Sequence, residues 1–505
     1  MTIKHAFSRR HFVETTVASS VFAIVPRHVL GGPRHVPPSE KITLAHIGMG
    51  TQGFRELGAL LDEPRLQIVA VCDPNTNSND YIEWGKNGIR NTIRRYLGNP
   101  TWHEGIPGCP GGREIGREVV DTYYARKRAK DHFKACRAYA DFRELLAREK
   151  DLDAVKIMTP DHLHATIAIA ALKRGLHVMV HKPLGNRLAE ARLVIDTARQ
   201  TGCATHLLAY GSGLPNALIC KRIKQGVIGT LREIHNWTNR PVWPQYTLIP
   251  KDRPPIPKGF DWNLWLGPAQ DRPYHPHYTH TVFRGWYDFG GGSMADMGIY
   301  SLWPVFTTLG LESPIRADAW ATHACTIEDN ISKTIHNDYS YPTACRLHFE
   351  FASRNGKPPL ELFWYDGGMK PRLPEIVASR DVVLEREGIL FVGDHGAIMA
   401  GFRGQKPRLF TKNKMEPLDT TGLGAEHVPA GKQKWSAWLD ACAGGPASPG
   451  SFLNAGPISD AVNLGTVALR AGTRVTFDPQ QMKVTNPTRA DRLLYRQYRK
   501  GWELM

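Results

Sequence analysis

Residues 42–53 read ITLAHIGMGTQG, and residues 66–73 read LQIVAVCD. The first stretch opens on an apolar run, Ile42 to Ile47, with the length and composition of a buried strand. It leads straight into Gly48, Gly50 and Gly53, spaced as G-x-G-x-x-G. A helical pattern, FRELGALL, follows, and the second apolar run ends in Asp73, twenty residues past Gly53. Strand, glycine turn, helix, strand and acid in this order form the pattern of a dinucleotide-binding βαβ unit. The glycines let backbone approach a pyrophosphate, the helix N-terminus stabilises its charge, and the acid accepts a bond from a ribose 2′-hydroxyl. Gly48, Gly50, Thr51, Gln52, Gly53 and Asp73 are therefore expected on the cofactor. An acid at residue 73 repels a 2′-phosphate, so NAD is expected in preference to NADP.

Upstream of this unit, GGPRHVPPSE (31–40) is a Pro/Gly-rich linker. Before it, Ser8-Arg9-Arg10-His11-Phe12-Val13 precedes a modestly apolar run from Val17 to Val25, which has the form of a twin-arginine export signal. Residues 1–37 are thus read as signal and linker, with a periplasmic or extracytoplasmic destination. Downstream, residues 75–134 are rich in Gly, Pro and charge and read as an insertion with one helix near Arg117 to Arg128. Regular alternation then resumes: a helix from Phe142 to Glu149, a strand from Ala154 to Met158, and the loop Thr159-Pro160-Asp161-His162-Leu163-His164. An alanine-rich helix ends at Gly175, and a strand from His177 to Val180 delivers His181-Lys182-Pro183 at its carboxyl end, where ligands of such sheets sit. A helix from Asn186 to Gln200 and a strand from Cys203 to Ala209 follow. The fold class is α/β, with a Rossmann domain over 38–202. Residues 203–505 form a second domain. In it Cys345, Leu347, Phe349 and Phe351 alternate with Arg346, His348 and Glu350, and GILFVGDHGAIMAGF reads as a hairpin around Asp394-His395-Gly396. That domain is expected to hold a mostly antiparallel sheet with one open face.

Composition excludes several classes. The chain has 505 residues with 42% hydrophobic content, enough for two cores. No stretch approaches the ~20 apolar residues of a membrane span, so stable membrane insertion is not expected. The formal charge of +16 is spread along the chain without a zinc-finger, RRM or bZIP pattern, so no nucleic-acid partner is expected. The charge leaves an anionic sugar open as a ligand. Eight cysteines form no CxxC pair, and His275, His277 and His280 lack zinc-like spacing, so no metal is expected.

GGGSMADMGIY (290–300) supplies chemistry that the nucleotide fold needs. Asp296 and Tyr300 stand four residues apart and share a face if this is the first turn of a helix. A carboxylate and a phenol beside glycines suit proton transfer to or from a substrate hydroxyl.

Taken in order, AHIGMGTQG, VCDP, DAVKIMTPDHLHA, HKPL and GGGSMADMGIY resemble the Gfo/Idh/MocA oxidoreductase family, from about Lys41 to the C-terminus. The resemblance implies a Rossmann domain followed by an α/β domain with a large, mostly antiparallel sheet. It also implies NAD or NADP as cofactor, a sugar or cyclitol oxidised or reduced at a secondary alcohol, and a homodimer or homotetramer. Lys182, Asp296 and Tyr300 become the catalytic group, with Lys182-Pro183 as a cis peptide. Thr159, Pro160, His162, His164, His181 and Lys182 become cofactor neighbours, although His162 and His164 read equally well as helix caps. Two positions depart from the usual motifs. His181 stands where the family has the glutamate of Glu-Lys-Pro, and Tyr300 stands where most members have histidine. The second form is similar to that of glucose–fructose oxidoreductase, which is also an exported enzyme that holds its cofactor tightly. In the aromatic loop Arg240, Trp243, His280, Arg284, Trp286 and Tyr287 fit a sugar site, because rings stack on sugar C–H faces and guanidinium groups bond hydroxyls or carboxylates. Three functions remain open: a sugar oxidoreductase, a redox-neutral glycosidase or keto-sugar lyase recycling tightly bound NAD, and a non-catalytic nucleotide-bearing binding protein.

Overall fold

The computed structural model describes residues 40–129, 135–209, 214–353, 356, 358–423 and 435–504. The export pattern at 8–25 lies outside the described residues. The first domain runs β1 (Ile42–Ile47), α1 (Thr51–Leu61), β2 (Leu66–Cys72), β3 (Ser78–Tyr81), α2 (Gly88–Leu97), β4 (Cys109–Gly111), α3 (Arg113–Lys127), β5 (Arg137–Tyr139), α4 (Phe142–Arg148), β6 (Ala154–Ile157), α5 (Asp161–Leu172), β7 (His177–Val180), α6 (Leu188–Thr201) and β8 (Thr205–Leu207). Six of these strands form a parallel sheet in the order β5-β2-β1-β6-β7-β8. Strand alternation sorts the core into two layers. Leu44, Ile68, Ala154 and Met179 pack under Phe54 and Leu57 of α1 and Val119 and Val120 of α3. Ala45, Ile47, Val155, Val178 and Val180 pack on the other face with Leu145, Ala168 and Val194 of α4, α5 and α6.

Two expectations are corrected here. The parallel sheet continues through β8, one strand past the boundary at residue 202. Residues 75–134 are not one irregular insertion. β3 pairs antiparallel with β4, and α3 is the crossover helix between β2 and β5. Its apolar positions Ile115, Val119, Val120 and Tyr124 are buried, and dense charge on the remaining faces hides that stripe in the sequence.

The second domain contains α7 (Leu214–Lys224), β9 (Leu231–Trp237), α8 (Trp262–Leu266), a π-helical turn (Met294–Gly298), α9 (Ile299–Leu309), β10 (Arg316–Ala321), β11 (Cys325–Glu328), β12 (Ile331–Thr334), β13 (Cys345–Phe351), β14 (Leu360–Tyr365), α10 (Glu375–Ala378), β15 (Gly388–Gly393), β16 (Gly396–Gly401), β17 (Arg408–Thr411), β18 (Met415–Pro417), α11 (Ser436–Cys442), α12 (Gly456–Ala471), β19 (Val475–Asp478) and β20 (Lys483–Asn486). Ten strands form one sheet ordered β18-β17-β16-β15-β9-β14-β13-β10-β19-β20. The β9–β14 pair is parallel and the other pairs are antiparallel. Ile234, Leu347, Phe349, Leu362 and Trp364 face the core shared with α7, α9 and α12. On the opposite face His348, Phe363 and His235 stack in a row at 4.5 and 4.8 Å, and half-exposed Trp320 lies under the Arg346 guanidinium at 4.9 Å. The two domains are tied by buried contacts. Trp438 Nε1 donates to Ala204 O at 3.1 Å, and Arg496 of the C-terminal tail donates to Glu190 Oε1 at 2.6 Å with both side chains almost fully buried. Among the described residues no helix is long and apolar enough to cross a membrane.

Candidate active site

One cleft lies at the carboxyl ends of β1, β2, β6 and β7 and is capped by the second domain. At its nucleotide wall Gly48 has φ +102°, and a Cβ there would stand 2.5 Å from Met158 O. A Cβ on Gly53 would stand 2.3 Å from Gly48 O, so only glycine lets α1 seat against its own turn. Helix α1 starts at Thr51 with no side-chain cap. Its first N–H groups are thus presented to the cleft as an anion site. Asp73 is buried at the end of β2, where its carboxylate accepts Met49 N–H and Asn75 N–H, both at 2.8 Å. Burial outweighs those two bonds and raises its pKa. Phe142, Leu163, Ile167, Phe260 and Trp502 add an apolar wall to the same cleft. A glycine turn, an uncapped helix, an acid after β2 and an apolar slot are the parts that hold a dinucleotide.

The reacting end is polar. Lys182 follows β7, and its peptide to Pro183 is cis, as the resemblance implied. Lys182 Nζ lies 2.7 Å from Asp296 Oδ1, Arg284 Nε lies 3.1 Å from the same oxygen, and Arg240 Nε lies 3.9 Å from Oδ2. Burial would raise the Asp296 pKa, but Lys182 and Arg284 reverse this and hold it far below the usual carboxylate range. Burial, seconded by Arg284, lowers the Lys182 pKa despite its pairing with Asp296. Asp296 sits on the π-helical turn and Tyr300 on the first turn of α9, and both line the cleft. Single π-turns of this kind concentrate at functional sites. Their side chains take different partners: the Tyr300 hydroxyl lies 2.9 Å from His181 Nε2, and its ring lies 5.0 Å from Lys182 Nζ. Burial, then Asp296 and Glu56, push the Tyr300 pKa well above that of a free phenol. Burial and Lys182 pull His181 down to about 3, so its ring is neutral.

Gly48, Gly50, Thr51, Gln52, Asp73, Thr159, Pro160, His181, Lys182, Arg240, His280, Arg284, Asp296 and Tyr300 all line this cleft. Six expected residues stand off its wall. Gly53 acts through packing, as described. His162 is fully buried, with its nitrogens 3.3 Å from Phe289 O and 2.9 Å from Trp265 O. His164 is braced at 2.6 Å from Pro183 O and 2.9 Å from Thr159 O. Both rings therefore hold loops together instead of lining the cleft. Trp286 donates its indole N–H to His277 O at 2.7 Å inside an aromatic cluster with Tyr278 and Phe289. Tyr287 packs on Tyr341 at 4.4 Å, and Trp243 is buried 5.9 Å from the Arg284 guanidinium. His275 and His277 are absorbed by Asp252 at 3.2 Å and the Tyr246 ring at 3.9 Å.

The sequence reading missed Asp161, Tyr81, Trp84, Phe142 and Trp502, all on the cleft wall. Asp161 carried a signal, since it sits within TPDHLH; its carboxylate accepts Gly291 N–H at 3.0 Å and so ties that loop to GGGSMADMGIY. Trp502 carried none, because only the fold returns the tail to the first domain. Among the described residues Asp318, His348 and Glu350 bring ligand-type atoms together, but Arg474 Nε bonds Asp318 at 3.0 Å and Arg316 bonds Glu350 at 2.8 Å. The cluster reads as an ion-pair network on the outward sheet face.

Residues 116–208 match the domain described as "Oxidoreductase family, NAD-binding Rossmann fold", and residues 220–359 match "Oxidoreductase family, C-terminal alpha/beta domain", both of the Gfo/Idh/MocA group. The chain is similar to levoglucosan dehydrogenase of Pseudarthrobacter phenanthrenivorans, 35% identical over 94 residues, which cover 18% of this chain and 24% of that protein. It is also similar to a glycosyl hydrolase family 109 protein of Shewanella sp. (strain W3-18-1), 33% identical over 244 residues and 45% of each chain. The chain thus spans less than half the length of these curated relatives. Among solved structures, WlbA dehydrogenase from Bordetella pertussis, crystallised with NADH and UDP-GlcNAcA, shares the fold at TM-score 0.51 and 13% identity over 87% of this chain and 99% of that one. With both domains matched in order, and with the glycine turn and the Lys182–Asp296 pair in one cleft, the chain belongs to the Gfo/Idh/MocA oxidoreductase family.

Proposed function

We propose that this chain is an NAD-dependent oxidoreductase acting on a secondary alcohol of a sugar or sugar derivative. The observation that carries the reading is the convergence of Lys182, Asp296 and Tyr300 in the cleft that also holds the glycine turn and Asp73. Asp73 would take a ribose hydroxyl and disfavour a 2′-phosphate, which favours NAD over NADP. When bound, the nicotinamide supplies a two-electron acceptor or donor for the carbinol carbon. The protein's own groups do the rest. Asp296 stays ionised and fixes Lys182 and Arg284 beside the substrate oxygen. Tyr300 stays a neutral phenol, able to exchange a proton with that oxygen, and Lys182 stabilises the charge that develops there.

The similarity to a glycosyl hydrolase family 109 protein supports a second reading, in which the same residues serve glycoside cleavage with the cofactor recycled. The export pattern at residues 8–13 fits either reading with a cofactor loaded before transport, and the outward face around Trp320 is our choice for a homodimer or homotetramer contact. The test is to add NAD and levoglucosan, then other sugars and glycosides, to the purified protein. NADH accumulating at 340 nm supports the oxidoreductase, and cleavage without net NADH supports the second reading. Tyr300→Phe should bind NAD nearly as wild type and lose roughly 10²-fold or more in turnover. Near-full activity in that variant removes Tyr300 from the mechanism.

A further inference from the structure

The sheet face beneath α1 carries ionisable side chains where parallel strands ordinarily present aliphatic ones. Strand register aligns His46 of β1 with Lys156 of β6 and, across Met179 of β7, His206 of β8. All three are almost completely buried. Lys156 Nζ lies 2.9 Å from Glu56 Oε2 on α1. Glu56 Oε1 accepts from Gln52 Nε2 at 2.9 Å and lies 3.9 Å from His181 Nε2, the nitrogen that faces the Tyr300 hydroxyl at 2.9 Å. The Glu56 side chain is 27% exposed, so water reaches the far end of this series. Taking the Lys156 ammonium out of water carries a large desolvation cost, and apolar residues would brace α1 on the sheet without it.

We propose that Tyr300, His181 and Glu56 form a proton path from the substrate oxygen to solvent, with Lys156 holding Glu56 in place. The path rests on Tyr300 acting as the proton-exchanging group proposed above. In the oxidation direction a bound oxidised nicotinamide would accept the C–H hydrogen with its electron pair as hydride, which leaves only the hydroxyl proton for the protein to remove. The hydroxyl proton passes to Tyr300 Oη as the phenol's own proton moves to His181 Nε2. It then crosses to Glu56 Oε1 and leaves to water, so no further reactant is needed. His181 is faced by Glu56 from α1, Tyr300 from α9, His164 from α5, the adjacent Lys182, and Arg284. Glu56 is faced by Lys156, His181 and Gln52. Arg403 lies 5.1 Å over the Tyr300 ring. The histidine at residue 181 then has a chemical purpose: its Nε2 stands between the Tyr300 hydroxyl and Glu56 Oε1 and carries the proton from one to the other.

Glu56→Gln alone strands the buried Lys156 charge, so the working variant is Glu56→Gln with Lys156→Met. It should bind NAD, measured by calorimetry, within about twofold of wild type, and it should lose about tenfold or more in levoglucosan turnover at neutral pH. Formate added to the assay should restore part of that loss, because a small acid can stand in for a carboxylate that water reaches. Independently of any substrate, the ¹⁵N resonance of His181 Nε2 should move both in this variant and in Tyr300→Phe. Wild-type turnover in the double variant, a loss that formate does not relieve, or a His181 resonance unmoved in either variant overturns the path. If Tyr300→Phe itself turns over normally, the underlying reading fails as well; if Tyr300→Phe is inactive and the double variant is normal, only the path fails.

Discussion

Asp296 is the carboxylate that Lys182, Arg284 and Arg240 all face, at 2.7, 3.1 and 3.9 Å, and this predicts an asymmetry between two substitutions. With an effective dielectric of ~20, the contacts at 2.7 and 3.1 Å are each worth about 5–6 kcal/mol of Coulomb attraction, most of it offset by desolvation. Asp296→Asn keeps the shape and removes the charge. It leaves a buried ammonium beside a buried guanidinium with no counter-ion at contact, which should cost about 3–5 kcal/mol. Lys182→Met removes the closest partner, yet Asp296 still has two arginines. Its cost should therefore stay below about 2 kcal/mol. Equilibrium urea unfolding at pH 7, followed by tryptophan fluorescence on both variants and the wild type, measures the difference. If Lys182→Met is as destabilising as Asp296→Asn, or if Asp296→Asn costs less than about 1 kcal/mol, then Asp296 is not the charge on which this cluster depends.

Two further outcomes follow from the cleft and the core. In Gly53→Ala the new methyl would start 2.3 Å from Gly48 O, so backbone must move by roughly 1 Å; a loss of about 1–3 kcal/mol and about tenfold weaker NAD binding are expected. Gly85→Ala, with nothing within 4 Å, should leave stability unchanged, and equal effects in the two variants would refute the packing argument. Burial holds His46, His162, His181 and His206 down to about 3, against about 6.5 in an unfolded chain. The unfolded state therefore takes up protons that the native state refuses. Stability is full above about pH 6.5 and falls toward pH 3, by about 1.4 kcal/mol per pH unit for each ring. The depressed carboxyls of Glu56 and Asp296 act in the same direction below about pH 4.5. The melting temperature should drop steadily from pH 7 to pH 5, and a flat profile over that range would contradict the buried neutral rings.

Legibility followed locality. The glycine turn, α1 and Asp73 were readable because a βαβ nucleotide unit is built from neighbours in sequence, and its glycines are demanded by contacts within the unit itself, such as Gly53 against Gly48 O. β13 was readable because its apolar and polar residues alternate without exception. α3 was readable as a helix near Arg117 to Arg128 but not as the crossover between β2 and β5, because its buried positions are embedded among charges, and β8 was too short for its sheet to be assigned from pattern alone. At the site the sequence pointed to Lys182, Asp296 and Tyr300, but it paired Asp296 with Tyr300 through helical register. The fold instead gives Asp296 to Lys182 and Tyr300 to His181. The aromatic loop divided in the same way. Arg240, Arg284 and His280 reach the cleft, whereas Trp286 and Tyr287 are consumed by packing.

By itself, the sequence determined the nucleotide domain, the sheet-bearing second domain and the residue types at the reacting centre, since each of these is encoded in short periodic or punctuated segments. Only the tertiary structure decided which charges meet. Lys182 and Asp296 are 114 residues apart, Tyr300 and His181 are 119 apart, and Arg496 closes on Glu190 across 306. Buried charges and rings take whichever partner the packed domains bring within about 3 Å, and no local pattern carries that distance.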